Sequence, residues 1–120
     1  MSVALPGKAP GYQYHLLRGA LERFSKNLSE LDEQQLTEAH RQADKTYSLE
    51  TLVLASAEAG EVIIPADQID AAFDQVMSRY SDESAFHSDL RANGMSERQL
   101  RQALHRELLF DGVMPVSYTH

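Results

Sequence analysis

The sequence predicts an all-α domain of about five helices, and three observations predict it. Apolar residues recur three and four positions apart over most of the chain, the spacing of one face of a helix. Residues that start and stop helices punctuate that pattern. The one strand-like stretch, Glu61 to Ile64, is cut short by Pro65 and has no partner strand.

The first helix is expected from about Gln13 to Lys26, with Leu17, Ala20, Leu21 and Phe24 on its buried face. Asn27 to Ser29 breaks it, and Ser29 stands three residues before Asp32 in the manner of a capping box. A long second helix follows near Asp32 to Ala57. Leu36, Ala39, Ala43, Tyr47 and Leu54 mark its stripe, and Gly60 ends it. Glu61 to Ile64 then reads as an extended linker whose apolar side chains dock on helices. Pro65 suits the first turn of the third helix, where its missing N–H would have no partner in any case. There Ile69, Ala72, Phe73, Val76, Met77 and Tyr80 give the cleanest helical series in the chain.

Ser81 is expected to cap a short fourth helix, Asp82 to Ala92, packed through Phe86 and Leu90. Asn93-Gly94 is a stop with glycine in the left-handed position. Ser96 caps the fifth helix with Gln99 as its capping-box partner, and Met95 and Leu100 form a hydrophobic staple. Leu100, Ala103, Leu104 and Leu108 continue the stripe. Pro115 to His120 breaks the pattern abruptly. Its Val-Ser-Tyr-Thr-His string resembles an in-frame translation of a transposase sequencing adapter, although a natural frayed end reads the same way. The expected organisation is therefore a flexible lead-in over 1–11, a helical domain over 12–114, and an adapter-derived tail over 115–120.

Composition narrows the function. The 120 residues contain no cysteine, which excludes disulfides, thiolate metal sites and a cysteine nucleophile. Eighteen Asp and Glu stand against 11 Lys and Arg, the wrong sign for a general nucleic-acid binder. No apolar run approaches the ~20 residues of a membrane span, and the lead-in has no signal-peptide core, so a cytoplasmic location is expected. His15, His40, His87, His105 and His120 lack paired-ligand spacing. His105-Arg106-Glu107 reads as a solvated helix surface, because adjacent helical residues do not face one another. The serines are cap and turn residues, and the glycines form no phosphate loop. No catalytic residue, metal site or cofactor is expected in this chain.

Ser84 to Arg101, with Phe86, Leu90, Gly94, Ser96 and Leu100 as its signposts, resembles the helical hairpin of chaperone-type domains that precede parvulin peptidyl-prolyl isomerase domains, as in SurA-like chaperones. An ordinary αα-hairpin uses the same punctuation. Tyr14-His15-Leu16-Leu17, Leu28 to Leu36, Val62-Ile63-Ile64-Pro65, Gln68-Ile69, Ser78-Arg79-Tyr80 and Arg106-Glu107-Leu108 together resemble the N-terminal region of the NifM family of nitrogen-fixation proteins.

That resemblance spans roughly residues 12 to 114. It implies a SurA-like orthogonal helical array ending in an αα-hairpin. It also implies a chain truncated before a parvulin catalytic domain, and a role as a client-binding chaperone domain in maturing the nitrogenase iron protein. His15-Leu16-Leu17 imitates a parvulin histidine strand but opens an amphipathic helix, and the accompanying Gly-Gly-x-Leu-Gly loop is absent, so no catalytic residue carries over. Phe73, Met77 and Tyr80 are the expected client contacts, against the plainer reading that they are core. The apolar stripe of the third helix, left open, is expected to favour a homodimer. A stand-alone helical interaction module without an enzyme is the alternative.

Overall fold

A computed structural model describes residues 10–56 and 58–114 of the chain. Five α-helices carry the fold: α1 (Pro10–Gly19), α2 (Glu33–Leu54), α3 (Ala66–Met77), α4 (Glu83–Ala92) and α5 (Glu97–Val113). A π-helical turn, Ala20–Phe24, prolongs α1, and 3-10 turns lie at Leu28–Glu30 and Glu58–Glu61. No strand occurs among the described residues, and the all-α expectation is borne out. The expected adapter-derived tail, 115–120, lies outside the described residues.

α1 is the axis of the domain. Tyr14, Leu17 and Leu21 fall at i, i+3 and i+7 and enter one apolar cluster with Phe73, Phe86 and Leu100. Tyr12, Leu16 and Ala20 fall at i, i+4 and i+8 and enter a second cluster with Ala39 and Ala43 of α2. A helix that is apolar on both sides is buried between neighbours. The spacing of Leu17, Ala20, Leu21 and Phe24 predicts one face only, and the second face comes from Tyr12 and Leu16 meeting α2. A Cβ on Gly11 would lie 2.8 Å from Tyr47 Cε1, so a larger residue at this point of the α1–α2 approach would have to displace the Tyr47 ring. α1 starts at Pro10, earlier than Gln13, because proline fits a first helical turn.

The caps divide the chain. Asp32, not Ser29, caps α2: the Gln35 N–H donates to Asp32 Oδ1 at 2.8 Å, and the Asp32 N–H donates to Gln35 Oε1 at 3.1 Å. Ser29 lies inside the preceding 3-10 turn, where the Asn27 N–H donates to Glu30 Oε1. α2 stops at Leu54 because its last turn tightens, Ser56 N–H bonding the Val53 carbonyl. Ala39 and Ala43 are buried as expected, Tyr47 and Leu54 are half-buried, and Leu36 is exposed. In the linker Val62 and Ile64 are half-buried and Ile63 points away. Val62 seats over Gly112 of α5, where a Cβ would come within 3.0 Å.

Asp82 caps α4 in place of Ser81, accepting from the Ala85 N–H at 2.8 Å. Gly94 has φ +69 and the Met95 N–H returns to the Leu90 carbonyl, the left-handed stop expected there. Ser96 and Gln99 form the expected capping box. Phe86, fully buried, meets Phe73 at 5.4 Å and Tyr80 at 5.5 Å, both edge-on. Beside it lies buried Asp89, which accepts from the Tyr80 hydroxyl at 2.6 Å. Burial raises the Asp89 carboxyl above its ordinary 3.8, against hydrogen bonds from Tyr80, Asn93 and the backbone of Leu28 and Ser29 that hold it down.

Two outcomes follow. Phe86→Ala costs about 3–5 kcal/mol in urea denaturation, since its void cannot collapse between two rings; a loss below about 1 kcal/mol contradicts this packing. Asp89 has a folded pKa above its unfolded one, so its contribution is favourable below about pH 3.8 and is lost as pH rises through the folded value. Asp89→Asn, which keeps an acceptor for Tyr80, therefore gains on the wild type as the pH is raised from about 3 to about 7. A pH-independent difference between the two contradicts the burial of that carboxyl.

Candidate functional site

Where α1, α2 and α5 meet, the interior turns polar. Glu50 of α2 is 3% exposed and sits on the same face as Ala39 and Ala43, one further heptad along. Its Oε1 accepts from Arg106 Nε of α5 at 2.9 Å, and its Oε2 lies 3.2 Å from His15 Nε2 of α1. The second contact has ion-pair distance but is poorly aligned as a hydrogen bond. His15 Nδ1 lies 2.8 Å from Thr46 Oγ1. A neutral ring with its proton on Nε2 turns a donor toward Glu50 and leaves Nδ1 as the acceptor facing the Thr46 hydroxyl.

Aromatic rings wall this network. The His15 ring stands edge-on to Tyr14 and to Tyr47, and the Arg106 guanidinium lies 5.3 Å from the centre of the Tyr47 ring. A second chain runs alongside. The Tyr14 hydroxyl donates to Glu107 Oε1 at 2.7 Å, Arg18 pairs with the other oxygen of Glu107, and Arg18 also reaches Glu22 at 3.4 Å. Arg79, just past α3, lies 3.5 Å from Glu22 and closes the chain. Burial pushes the Tyr14 phenol upward, so it serves here as a hydrogen-bond donor. The expectation of a solvated His105-Arg106-Glu107 surface is corrected: Arg106 and Glu107 enter two different partner sets, one on each side of α5, because adjacent residues point 100° apart.

Above the network opens a cleft of about 410 Å³. Leu49, Phe110 and Met114 form its apolar wall, and His15, Glu50, Glu107 and Asp111 lie among its lining. Leu49 is 46% exposed and Leu52, one turn further along α2, is 73% exposed. No geometry here resembles a nucleophile with its base. The histidine, carboxylate and guanidinium are engaged with one another, and the arrangement is one that joins helices and presents an apolar mouth.

The sequence-expected contacts fall elsewhere. Phe73 and Tyr80 are buried against Phe86, and Met77 is half-buried at the edge of the same cluster. Phe73 also carries Arg101 over its ring at 4.4 Å. The α3 stripe expected to stay open has Phe73 and Val76 inside the fold. Glu50 escaped the sequence reading, although its register with Ala39 and Ala43 places a charge on an apolar stripe. Among the described residues, no helix is long and apolar enough to cross a membrane.

Comparison with known proteins supports the resemblance to the NifM family. Over 114 residues, 95% of this chain, it is 36% identical to a protein of Azotobacter chroococcum mcd 1 provisionally named peptidyl-prolyl cis-trans isomerase NifM. Over 102 residues, 85% of the chain, it is 34% identical to the Azotobacter vinelandii protein of the same name. The chain spans 39% and 35% of the length of these two relatives. No family model matches the chain, and no solved structure does. The chain is thus NifM-like over nearly its whole length.

Glu50→Ala leaves His15 buried without its anion and frees Arg106. The expected cost is about 3 kcal/mol in denaturant unfolding, the lower end for a broken buried pair, because a third of the Arg106 side chain already meets water. A loss of less than about 1 kcal/mol contradicts the role given to Glu50.

Proposed function

We propose that this chain is the client-binding, chaperone-like domain of a NifM-like peptidyl-prolyl cis-trans isomerase, acting in the cytoplasm on the nitrogenase iron protein as its client. The observation that carries this reading is the likeness to two NifM proteins along 85–95% of the chain. It is supported by the form of the domain, a helical array with a part-open cleft walled on one side by apolar residues. Partly folded chains are held by such surfaces without a demand for one sequence.

In this reading the isomerase chemistry belongs to a parvulin-type domain beyond the helical region. The helical domain raises the local concentration of client segments next to it. The physical motive is the slowness of the uncatalysed step, tens to hundreds of seconds for an X-Pro bond. Client contact at Met77, with Phe73 and Tyr80 behind it, belongs to the same proposal. It requires the α3–α4 corner to loosen, since the two rings are core in the closed form.

The test pairs binding with turnover. The 120-residue chain is mixed with urea-unfolded iron protein on dilution, and with a proline peptide followed for isomerisation. The reading predicts a complex with the unfolded iron protein and an X-Pro rate equal to the uncatalysed one. A chain that ignores the unfolded iron protein contradicts the chaperone role. A chain that accelerates the proline peptide contradicts the assignment of catalysis elsewhere.

A further inference from the structure

We infer that the cleft between α1, α2 and α5 is a peptide-docking site selective for apolar segments that carry a lysine or arginine. This rests on the client-binding reading above and adds the chemistry of the segment.

The cleft wall supplies the apolar half of the match. Leu49 is half out in water, and Phe110 and Met114 stand opposite as partly buried residues of the α5 end. Exposed leucine and flexible methionine on one concave surface adapt to side chains of differing shape. The volume, about 410 Å³, accepts one or two large aliphatic side chains.

Charge supplies the other half. Three carboxylates, Glu50, Glu107 and Asp111, face the cleft against a single arginine, Arg18. Glu50 is matched by Arg106 from behind, while Arg18 is divided between Glu107 and Glu22. Asp111 has no ion-pair partner among the described residues. It also sits in the last turn of α5, where the helix dipole disfavours an anion. Partial shielding from water raises the Asp111 carboxyl above its ordinary value, with Arg18 opposing and the Glu50 charge adding to the rise. An anion at the C-terminal end of a helix with no ion-pair partner is in an arrangement that a cation entering the cleft relieves. The whole chain carries a formal charge of −7, which steers a basic segment in the same direction.

The test uses two fluorescein-labelled peptides with the same leucine and methionine pattern, one bearing lysines and one bearing glutamates, titrated with the 120-residue chain by anisotropy. The lysine peptide is expected to bind at least about tenfold tighter, with a preference that shrinks as salt is raised. Asp111→Lys replaces an exposed residue and improves the helix end, so it folds. It is expected to erase the preference. Leu49→Ser, also at an exposed site, removes apolar wall without adding charge and is expected to weaken the lysine peptide severalfold.

Equal binding of the two peptides overturns the proposal, as does a lysine preference that survives Asp111→Lys. If those variants leave peptide binding unchanged while unfolded iron protein is still held, the cleft assignment fails and the client-binding reading stands on another face. If neither peptide nor unfolded iron protein binds, both fail. A dimer by sedimentation that excludes the lysine peptide gives the face to a second copy and overturns the proposal.

Discussion

The domain is organised around one buried carboxylate. Glu50 projects from α2 into the junction where α1 and α5 pass, and both of those helices send it a nitrogen, His15 from one side and Arg106 from the other. Apolar packing holds helices together without fixing their rotation closely, whereas a buried anion must be met by particular donors or its desolvation is uncompensated. Glu50 therefore sets which faces of three helices meet. Tyr47, Tyr14 and Thr46 then find their places around it. The consequence reaches the surface, since the register that brings Arg106 to Glu50 leaves Phe110, one turn further along α5, and Met114, at its C-cap, as a wall for the cleft.

α1 is the second constraint, and it explains why so small a domain has two apolar clusters. Tyr14, Leu17 and Leu21 serve the side of α3, α4 and α5, and Tyr12, Leu16 and Ala20 serve α2. Both sides depend on close approach. Alanines at 39 and 43 and glycine at 11 keep α2 near α1, close enough for His15 and Glu50 to meet. On the other side, the ring cluster of Phe73, Tyr80 and Phe86 ties the α4–α5 hairpin to α3, and Asp89 satisfies the Tyr80 hydroxyl there. The polar junction and the aromatic cluster thus share α1 as a common wall.

Much of this was legible in the residues. The αα-hairpin, with Gly94 at positive φ and the Ser96–Gln99 box, follows directly from local chemistry, as does the all-helical class. Where two cap residues compete, local pattern does not decide: Asp32 prevailed over Ser29 and Asp82 over Ser81 because the carboxylates stand where three free N–H groups begin. The site was harder to read. Arg106 and Glu107 look like surface charge until the helices that receive them are placed, 56 and 93 residues away in sequence. Phe73 and Tyr80 appear as an exposed stripe until α4 covers them. The one local clue to the junction was Glu50 on the stripe of Ala39 and Ala43.

A double-mutant cycle between His15 and Arg106 tests this organisation most directly, because Glu50 is the charged group that both residues contact. With His15→Leu, Arg106→Met and the double variant unfolded in urea, the account predicts a coupling of at least about 1 kcal/mol, since either substitution alone leaves the Glu50 charge relying on the other partner. Losses that add to within about 0.3 kcal/mol would contradict a shared carboxylate and reduce the junction to two independent contacts.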